Sequence, residues 1–247
     1  MHPVPRVSVV VPMYNRERYV QAALASVLAQ TRAADEIIVV DDGSVDQSCA
    51  RVKALASPII RIIRQENGGI GSARNTGIAH CTGDVVTFVD SDDLWEPRKL
   101  EQQLAAQARH PQVDLFFGHL VEFVDRASVD VEAARATKHE PRPARGTTGA
   151  AVEGWLALTM MASRASLDRV GLFSTETNLG EFIDWFHRAR TLGLRSHLLP
   201  QVLARRRIHD SNTVSTENPA DYLRVLRRAI VRRREAEQKA SRGRVSR

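Results

Sequence analysis

Three clusters near the N-terminus carry residue types able to do chemistry: Asp41, Asp42 and Asp46; the glycine segment Gly68-Gly69-Ile70-Gly71 with Arg74 and Asn75; and Asp90, Asp92 and Asp93. Carboxylates packed as closely as Asp90, Asp92 and Asp93 repel, and a cation or a proton relieves that cost. Hard oxygen donors beside a place for phosphate oxygens suit Mn²⁺ or Mg²⁺. The structural alternative is that Asp92 or Asp93 merely caps a helix running toward Leu100. With Asp41, Asp42 and Asp46 expected at the same edge, the cation reading is the stronger. The glycine segment resembles a phosphate loop ahead of a helix. Read as Gly69-x-Gly71-x-x-Arg74, with Asp90 beyond it, it also approaches the dinucleotide fingerprint. Arg74, however, replaces the third glycine, and the segment follows a third strand rather than a first.

These clusters need elements to place them together. Val7–Val11, Glu36–Val40, Ile59–Ile63 and Val85–Val89 are short β-branched runs without alternation, separated by stretches of helical apolar spacing such as Val20, Ala23, Leu24, Val27 and Leu28. That pattern predicts a parallel sheet covered on both faces. Ligands of such sheets sit outside the carboxyl ends of the strands, so the chemistry follows Val11, Val40, Ile63 and Val89. Pro12-Met13-Tyr14-Asn15 leaves the first strand at the same edge. Further on, the sequence predicts a helix over Pro97–Arg109, one or two strands in Val113–Val124, an aperiodic excursion over 126–149, order from Trp155 to Ala162, a helix over Gly180–Leu192 and a terminal helix over Tyr222–Gln238.

Composition narrows the class. The 247 residues, 43% hydrophobic and 26% charged, fit a globular protein able to bury a core without disulfides or structural metal. Cys49 and Cys81 make no disulfide framework and read as small buried residues in a reducing, cytoplasmic setting. No apolar run is long enough to span a bilayer, and the Val7–Met13 run reads as a strand rather than a signal peptide. The formal charge is +6, but residues 219–247 hold ten basic and three acidic residues, which leaves 25 basic and 26 acidic residues in 1–218. A neutral body with a basic tail argues against a nucleic-acid-binding fold. The tail is read either as a solvated terminal helix or as a peripheral contact with an acidic partner or the inner face of an anionic membrane.

Taken in order, Val9-Val-Val-Pro-Met-Tyr-Asn15, Val39-Val-Asp-Asp-Gly-Ser44 with Asp46, Asn67-Gly-Gly through Ala73-Arg-Asn75, and Asp90-Ser-Asp-Asp93 resemble the inverting family 2 glycosyltransferases of the GT-A fold over about 90 residues. The resemblance implies a mostly parallel nucleotide-binding sheet flanked by helices (1–110), a smaller acceptor-binding half carrying the base (111–218), and the basic tail (219–247). It implies a nucleotide-diphosphate-sugar donor, first of all a UDP-sugar. Pro12 and Tyr14 would flank the base, with Asn15 and Gly69 beside the donor. Asp42 would bond the base N–H, Arg74 would lie near the base or diphosphate, and Asp90 near the ribose. Asp92 or Asp93 would bind Mn²⁺ or Mg²⁺ against the diphosphate, where a divalent cation neutralises a departing leaving group.

The second half resembles the family more loosely. Val170-Gly-Leu-Phe173 followed by Glu181-Phe-Ile-Asp184 and Arg188 matches the segment with an acidic pair before a helix, but Phe182 stands where the pair's Asp is commonest. Two candidates for the base remain, Asp184 and Glu181, three apart on one helix face. Asp184 is the favoured one, with Trp185 as a sugar-stacking platform. Arg205-Arg-Arg-Ile-His209 resembles the basic segment that closes on the diphosphate, which nominates Arg207 for the donor and His209 for metal or diphosphate. The acceptor (glycan, peptide, lipid or small molecule) is open, and no nucleic acid is expected. A sugar-nucleotide nucleotidyltransferase and a nucleotide-sugar-binding protein without turnover share these features. A dehydrogenase retaining NAD is not expected.

Overall fold

The structure, a computed structural model, describes residues 4–125, 150–176 and 180–209. The excursion over 126–149 and the helix and basic tail beyond 218 lie outside the described residues. The valine-rich run forms β1 (Val7–Met13), buried along its whole length. It pairs in parallel with β2 (Glu36–Asp41) on one side and β4 (Val85–Phe88) on the other, and β3 (Ile60–Arg64) extends the parallel set beyond β2. A strand buried on both faces needs apolar side chains at every position, which explains the absent alternation. Odd residues of β1 (Val7, Val9, Val11) join one core layer with Val20 and Leu24 of α1 (Val20–Leu28), Val52 of α2 (Ser48–Lys53) and Leu100 of α4 (Lys99–Arg109). Val10 turns to the other layer, with Ala73 of α3 (Gly69–His80), Leu167 of α5 (Arg164–Val170) and Trp185 of α6 (Glu181–Thr191).

The sheet continues past β4 in mixed sense. Its order is β3-β2-β1-β4-β8-β6-β9-β5, where β5 is Leu94–Trp95, β6 Leu115–Val124, β8 Met161–Ser163 and β9 Ser196–Ile208; β7 (Val152–Gly154) also pairs with β6. The parallel character expected from the sequence therefore belongs to the first four strands. Strands β8, β7 and β5 run antiparallel to their neighbours, and β6 with β9 is the one later parallel pair among the described residues. The long β9 has no counterpart in the sequence reading. Pro200 and Gln201 break its pattern; the structure absorbs them as a bulge, since Gly118 pairs with Leu199 and His119 with Val202. Bulges are where a strand tolerates proline.

Helix α3 lies close on β1 at Gly77, where an added Cβ would come 2.3 Å from Val10 Cγ1. The tight helix–strand approach that the dinucleotide fingerprint assigns to its third glycine thus falls at Gly77, three residues beyond Arg74. Both cysteines behave as small residues. Burial, and for Cys49 also the Asp41 carboxylate that its thiol bonds, pushes both thiols up to about 11. No described helix is long and apolar enough to cross a membrane.

Lys99 is buried in the core under β4. Its Nζ donates to Thr87 Oγ1 at 2.8 Å and Gln103 Oε1 at 2.7 Å and lies 4.2 Å from the Trp95 ring centroid. With no carboxylate at the site, burial drives the amine well below its ordinary value. The unfolded chain then holds a proton that the folded one lacks, so stability contributed here is lost as pH falls from the unfolded value near 10.4 toward the folded one. Relative to the wild type, Lys99→Met should gain up to about 1.4 kcal/mol for each pH unit lowered within that window. Urea melts of both proteins between pH 7 and 10 read this directly, and parallel stability curves would refute a neutral amine.

Candidate active site

Every strand of the parallel set delivers its cluster to one edge. From β1, Pro12 is buried and Tyr14 emerges 45% exposed. Asn15, with φ 51°, links the first two strand exits: its N–H donates to Ser44 Oγ at 3.0 Å and its Oδ1 accepts from Val45 N at 3.0 Å. From β2, Asp41 is wholly buried and accepts from Ser44 N. Asp46 serves the start of α2. Burial disfavours its charge, but bonds from Ser48 and Glu17 outweigh that and hold it below its ordinary value. Asp42 holds the glycine segment. Its Oδ1 accepts from Gly68 N at 2.9 Å and Gln65 Nε2 at 2.7 Å, and its Oδ2 accepts from Gly69 N at 2.9 Å. Gly69 has φ +82°, a left-handed conformation that favours glycine. A carboxylate of the chain itself therefore takes the N–H groups that the dinucleotide reading reserves for phosphate.

Arg74 joins the two halves. It is 3% exposed; Nη2 donates to Asp90 Oδ1 at 2.8 Å, Nη1 donates to Glu181 Oε1, and Nε is buried without a partner. Burial works against its charge, but Asp90 and Glu181 outweigh it and raise the guanidinium above its usual value. The close approach continues at Gly71, where an added Cβ would lie 2.1 Å from Ser174 O. The family resemblance implies a place for Arg74 near the base or the diphosphate. The structure adds its second carboxylate, 107 positions away.

After β4 the chain turns through Asp90 to Asp93, with Asp93 N donating to Asp90 O. Burial, then the charges of Asp92 and Asp90, push the Asp93 carboxyl well above its ordinary value, although Arg207 N donates to its Oδ1 at 2.7 Å. Asp92 goes the other way. Burial opposes its charge, but His209 and Arg16 prevail; Asp92 Oδ2 lies 3.0 Å from His209 Nε2 and accepts from Arg16 Nε at 3.0 Å. Arg207 braces this corner: Nε donates to the Asp92 carbonyl at 2.9 Å, and the guanidinium lies 5.0 Å from the Tyr19 ring and 4.7 Å from Phe123. The Tyr19 ring also lies against His209, tilted by 32° with centroids 4.6 Å apart, and its buried hydroxyl has no partner among the described residues. The far end of β9 thus brings Arg207 and His209 onto the acidic corner. Among the described residues no three His, Cys, Asp or Glu side chains converge on one ion position.

Glu181 and Asp184 share a helix face and differ in partners. Glu181, 7% exposed, accepts from Arg74 Nη1. Asp184 accepts from Arg188 Nε at 3.0 Å, and that guanidinium also donates to the Val170 and Leu172 carbonyls. Trp185 is not a sugar platform. It is fully buried, bonds Gly171 O through Nε1 at 2.8 Å and stacks on Phe173. Phe182, in the place of the family's commonest Asp, belongs to the same aromatic core and stacks on Phe186. Sequence reasoning missed Arg16 and Tyr19. The available signal was their position in Asn15-Arg-Glu-Arg-Tyr19, directly after the first strand exit.

Known proteins resemble this chain in sequence and in fold. Residues 8–156 match the family described as Glycosyl transferase family 2. An uncharacterised glycosyltransferase of Rickettsia typhi is 29% identical over 218 residues, which cover 86% of this chain and 67% of the relative. An uncharacterised glycosyltransferase of Nostoc sp. is 45% identical over 100 residues, 39% of this chain and 31% of the relative; EpsJ of Bacillus subtilis, also uncharacterised, is 42% identical over 114 residues, 45% and 33% respectively. The chain covers about a third of the length of the latter two. Among solved structures, Staphylococcus aureus TarS 1–349 in complex with UDP-GlcNAc matches with a TM-score of 0.72 at 23% identity, over 92% of this chain and 66% of that one. The mannosyltransferase PcManGT of Pyrobaculum calidifontis, in complex with GDP-Man and Mn²⁺, matches with a TM-score of 0.64 at 23% identity, over 85% and 59%. At such identities the likeness is one of fold, the GT-A fold. With more than half of its length inside the family match, the chain belongs to glycosyl transferase family 2.

Proposed function

We propose that this protein is a metal-dependent, inverting glycosyltransferase that moves a sugar from a nucleoside diphosphate, UDP first of all, to an acceptor hydroxyl or comparable nucleophile. The carrying observation is the Arg74 bridge, which sets one carboxylate of the second half, Glu181, across from Asp90 at the donor edge. A single displacement needs one base beside the acceptor and a stabilised leaving group. The acceptor oxygen bonds to the anomeric carbon, the bond from that carbon to the diphosphate oxygen breaks, and its electron pair leaves with the diphosphate. The acceptor proton goes to Glu181. This reading moves the role from Asp184, whose carboxylate clasps Arg188 against the end of α5. Pro12, Tyr14 and Asn15 would form the base-side wall, with Asp42 and Gly69 shaping the loop beneath and Arg207 behind the acidic corner. Residues 1–110 would bind the donor, 111–218 the acceptor, and the basic tail beyond 218 would make any peripheral contact with an anionic membrane face.

The acidic corner fits a divalent cation in chemistry. Burial, then the charges of Asp92 and Asp90, disfavour a negative Asp93, which a cation would relieve, and carboxylate oxygens with an imidazole suit Mn²⁺ or Mg²⁺. Asp92 or Asp93 would supply the first oxygen to the ion with His209 beside it, the three side chains not converging on one position as they stand, and the ion would supply Lewis-acid neutralisation of the diphosphate. The donors seen with the two structural neighbours, UDP-GlcNAc and GDP-Man with Mn²⁺, set the first donors to screen. The function is tested by incubating the protein with nucleotide sugars, Mn²⁺ and candidate acceptors. Free nucleoside diphosphate is expected; pyrophosphate would signify a nucleotidyltransferase, and saturable binding without turnover on any acceptor a binding protein. Asp92→Asn should weaken Mn²⁺-dependent nucleotide binding by about tenfold, equivalent to about 1.4 kcal/mol, while nucleotide binding without metal changes little. Unchanged calorimetric affinity with Mn²⁺ would remove Asp92 from the ion.

A further inference from the structure

A cavity of about 520 Å³ opens away from the donor edge, lined by Trp155, Phe186, Arg190, Leu194 and Ser196. Glu181 and Arg190 stand at opposite ends of α6, about 13 Å apart at 1.5 Å per residue. Ser196 begins β9 opposite Leu115 at the start of β6, whereas Arg207 at the other end of β9 meets Asp93. The cavity is therefore separate from the acidic corner.

Its walls have a definite chemistry. Trp155 and Phe186 stack with centroids 5.7 Å apart and planes 26° from parallel, and Phe117 backs both at 5.0 and 5.2 Å. Trp155 Nε1 donates to Glu153 Oε2 at 2.8 Å, which fixes the ring. Both rings are half-buried, unlike Trp95 and Trp185. Arg190 is exposed, and its guanidinium has no partner among the described residues. Ser196 Oγ is buried without a partner. Flat apolar rings take the face of another ring, a free guanidinium takes a carboxylate or phosphate, and the volume suits a small molecule.

We propose that this cavity is a second binding site, for a six-membered ring bearing an anionic group: the ring lies on Trp155 and Phe186, and its carboxylate or phosphate meets Arg190. A uronic sugar and an aryl acid share this chemistry. The site does not depend on the glycosyltransferase reading, because its test requires no turnover. Tryptophan fluorescence of the full chain is titrated with methyl β-glucuronide and phenylacetate, each against its neutral counterpart, methyl β-glucoside and benzyl alcohol. At least one anion should give a saturable change, about tenfold tighter than its neutral counterpart (about 1.4 kcal/mol), and which anion does so identifies the ring. Arg190→Gln, an exposed change that leaves the fold intact, should erase that tenfold preference. Trp155→Phe should abolish the signal, and saturating UDP should not displace the probe. Absence of saturation with both anions, equal affinity for charged and neutral partners, an indifferent Arg190→Gln, a signal surviving in Trp155→Phe, or competition by UDP would each overturn the proposal.

Discussion

Arg74→Met is expected to destabilise the protein by about 3–5 kcal/mol, the cost typical of breaking a buried ion pair from one side. The arginine is 3% exposed, and its two carboxylate partners come from opposite halves of the chain: Asp90 after β4 and Glu181 at the start of α6. Methionine fills the space of the alkyl stem but leaves Asp90 and the buried Glu181 as neighbouring negative charges without their cation. The size of the effect therefore comes from the stranded acids as much as from the lost bonds. This gives the prediction an internal control. In Arg74→Met combined with Glu181→Gln, one stranded charge is gone, and the double variant should lose less than the sum of the two single variants by about 1–3 kcal/mol, a coupling of the size seen for contacting residues. Urea denaturation of the wild type, both single variants and the double variant measures this. A loss under 1 kcal/mol in Arg74→Met, or strict additivity in the double variant, would mean that the three groups do not act as a buried unit.

The same triad marks where the sequence stops being legible. The parallel half could be read because its constraints are local. A strand buried on both faces must be apolar at each position, as Val7–Met13 is. A left-handed loop position calls for glycine, as at Gly69, and parallel strands deliver successive clusters to one edge. Arg74 and Asp90 lie 16 positions apart within that local grammar. Glu181 lies 107 positions from Arg74, and no periodicity encodes such a pairing. Likewise β9 was hidden, because the bulge at Pro200 and the arginines at 205–207 break strand alternation that only the partner β6 restores. Trp185 shows the converse error. An aromatic beside a candidate base reads as a sugar platform, yet a single turn of α6 has room for both a face toward Arg74 and a face toward the core. The sequence alone does not say which face meets Phe173. Phe182 follows from the same packing: a side chain directed into the stack with Phe186 and Trp185 must be apolar, and so the adjacent acidic pair gives way to acids three apart.

Glu181→Gln is expected to lower turnover by about 10³-fold, within the range lost with a positioned general base, while donor affinity stays within about threefold. Glutamine keeps an oxygen to accept from Arg74, so the bridge survives in neutral form and the change falls on proton acceptance. Asp184→Asn supplies the comparison. Its carboxylate is engaged with Arg188, which in turn holds the Val170 and Leu172 carbonyls; a clasp of that kind affects stability first, and turnover should fall by less than about tenfold. Rate alone would not separate a base from a residue that merely positions the acceptor, but acceptor acidity does. An acceptor that is already ionised at the assay pH, such as a low-pKa thiol, needs no base, so Glu181→Gln should lose far less with it than with an alcohol. A residue that only orients the acceptor would cost the same with both. If instead Asp184→Asn shows the large loss and the dependence on acceptor acidity, the base is Asp184 and the Arg74 bridge is a strut between the halves. Either outcome assigns the proton to a single carboxylate, as displacement in one step requires.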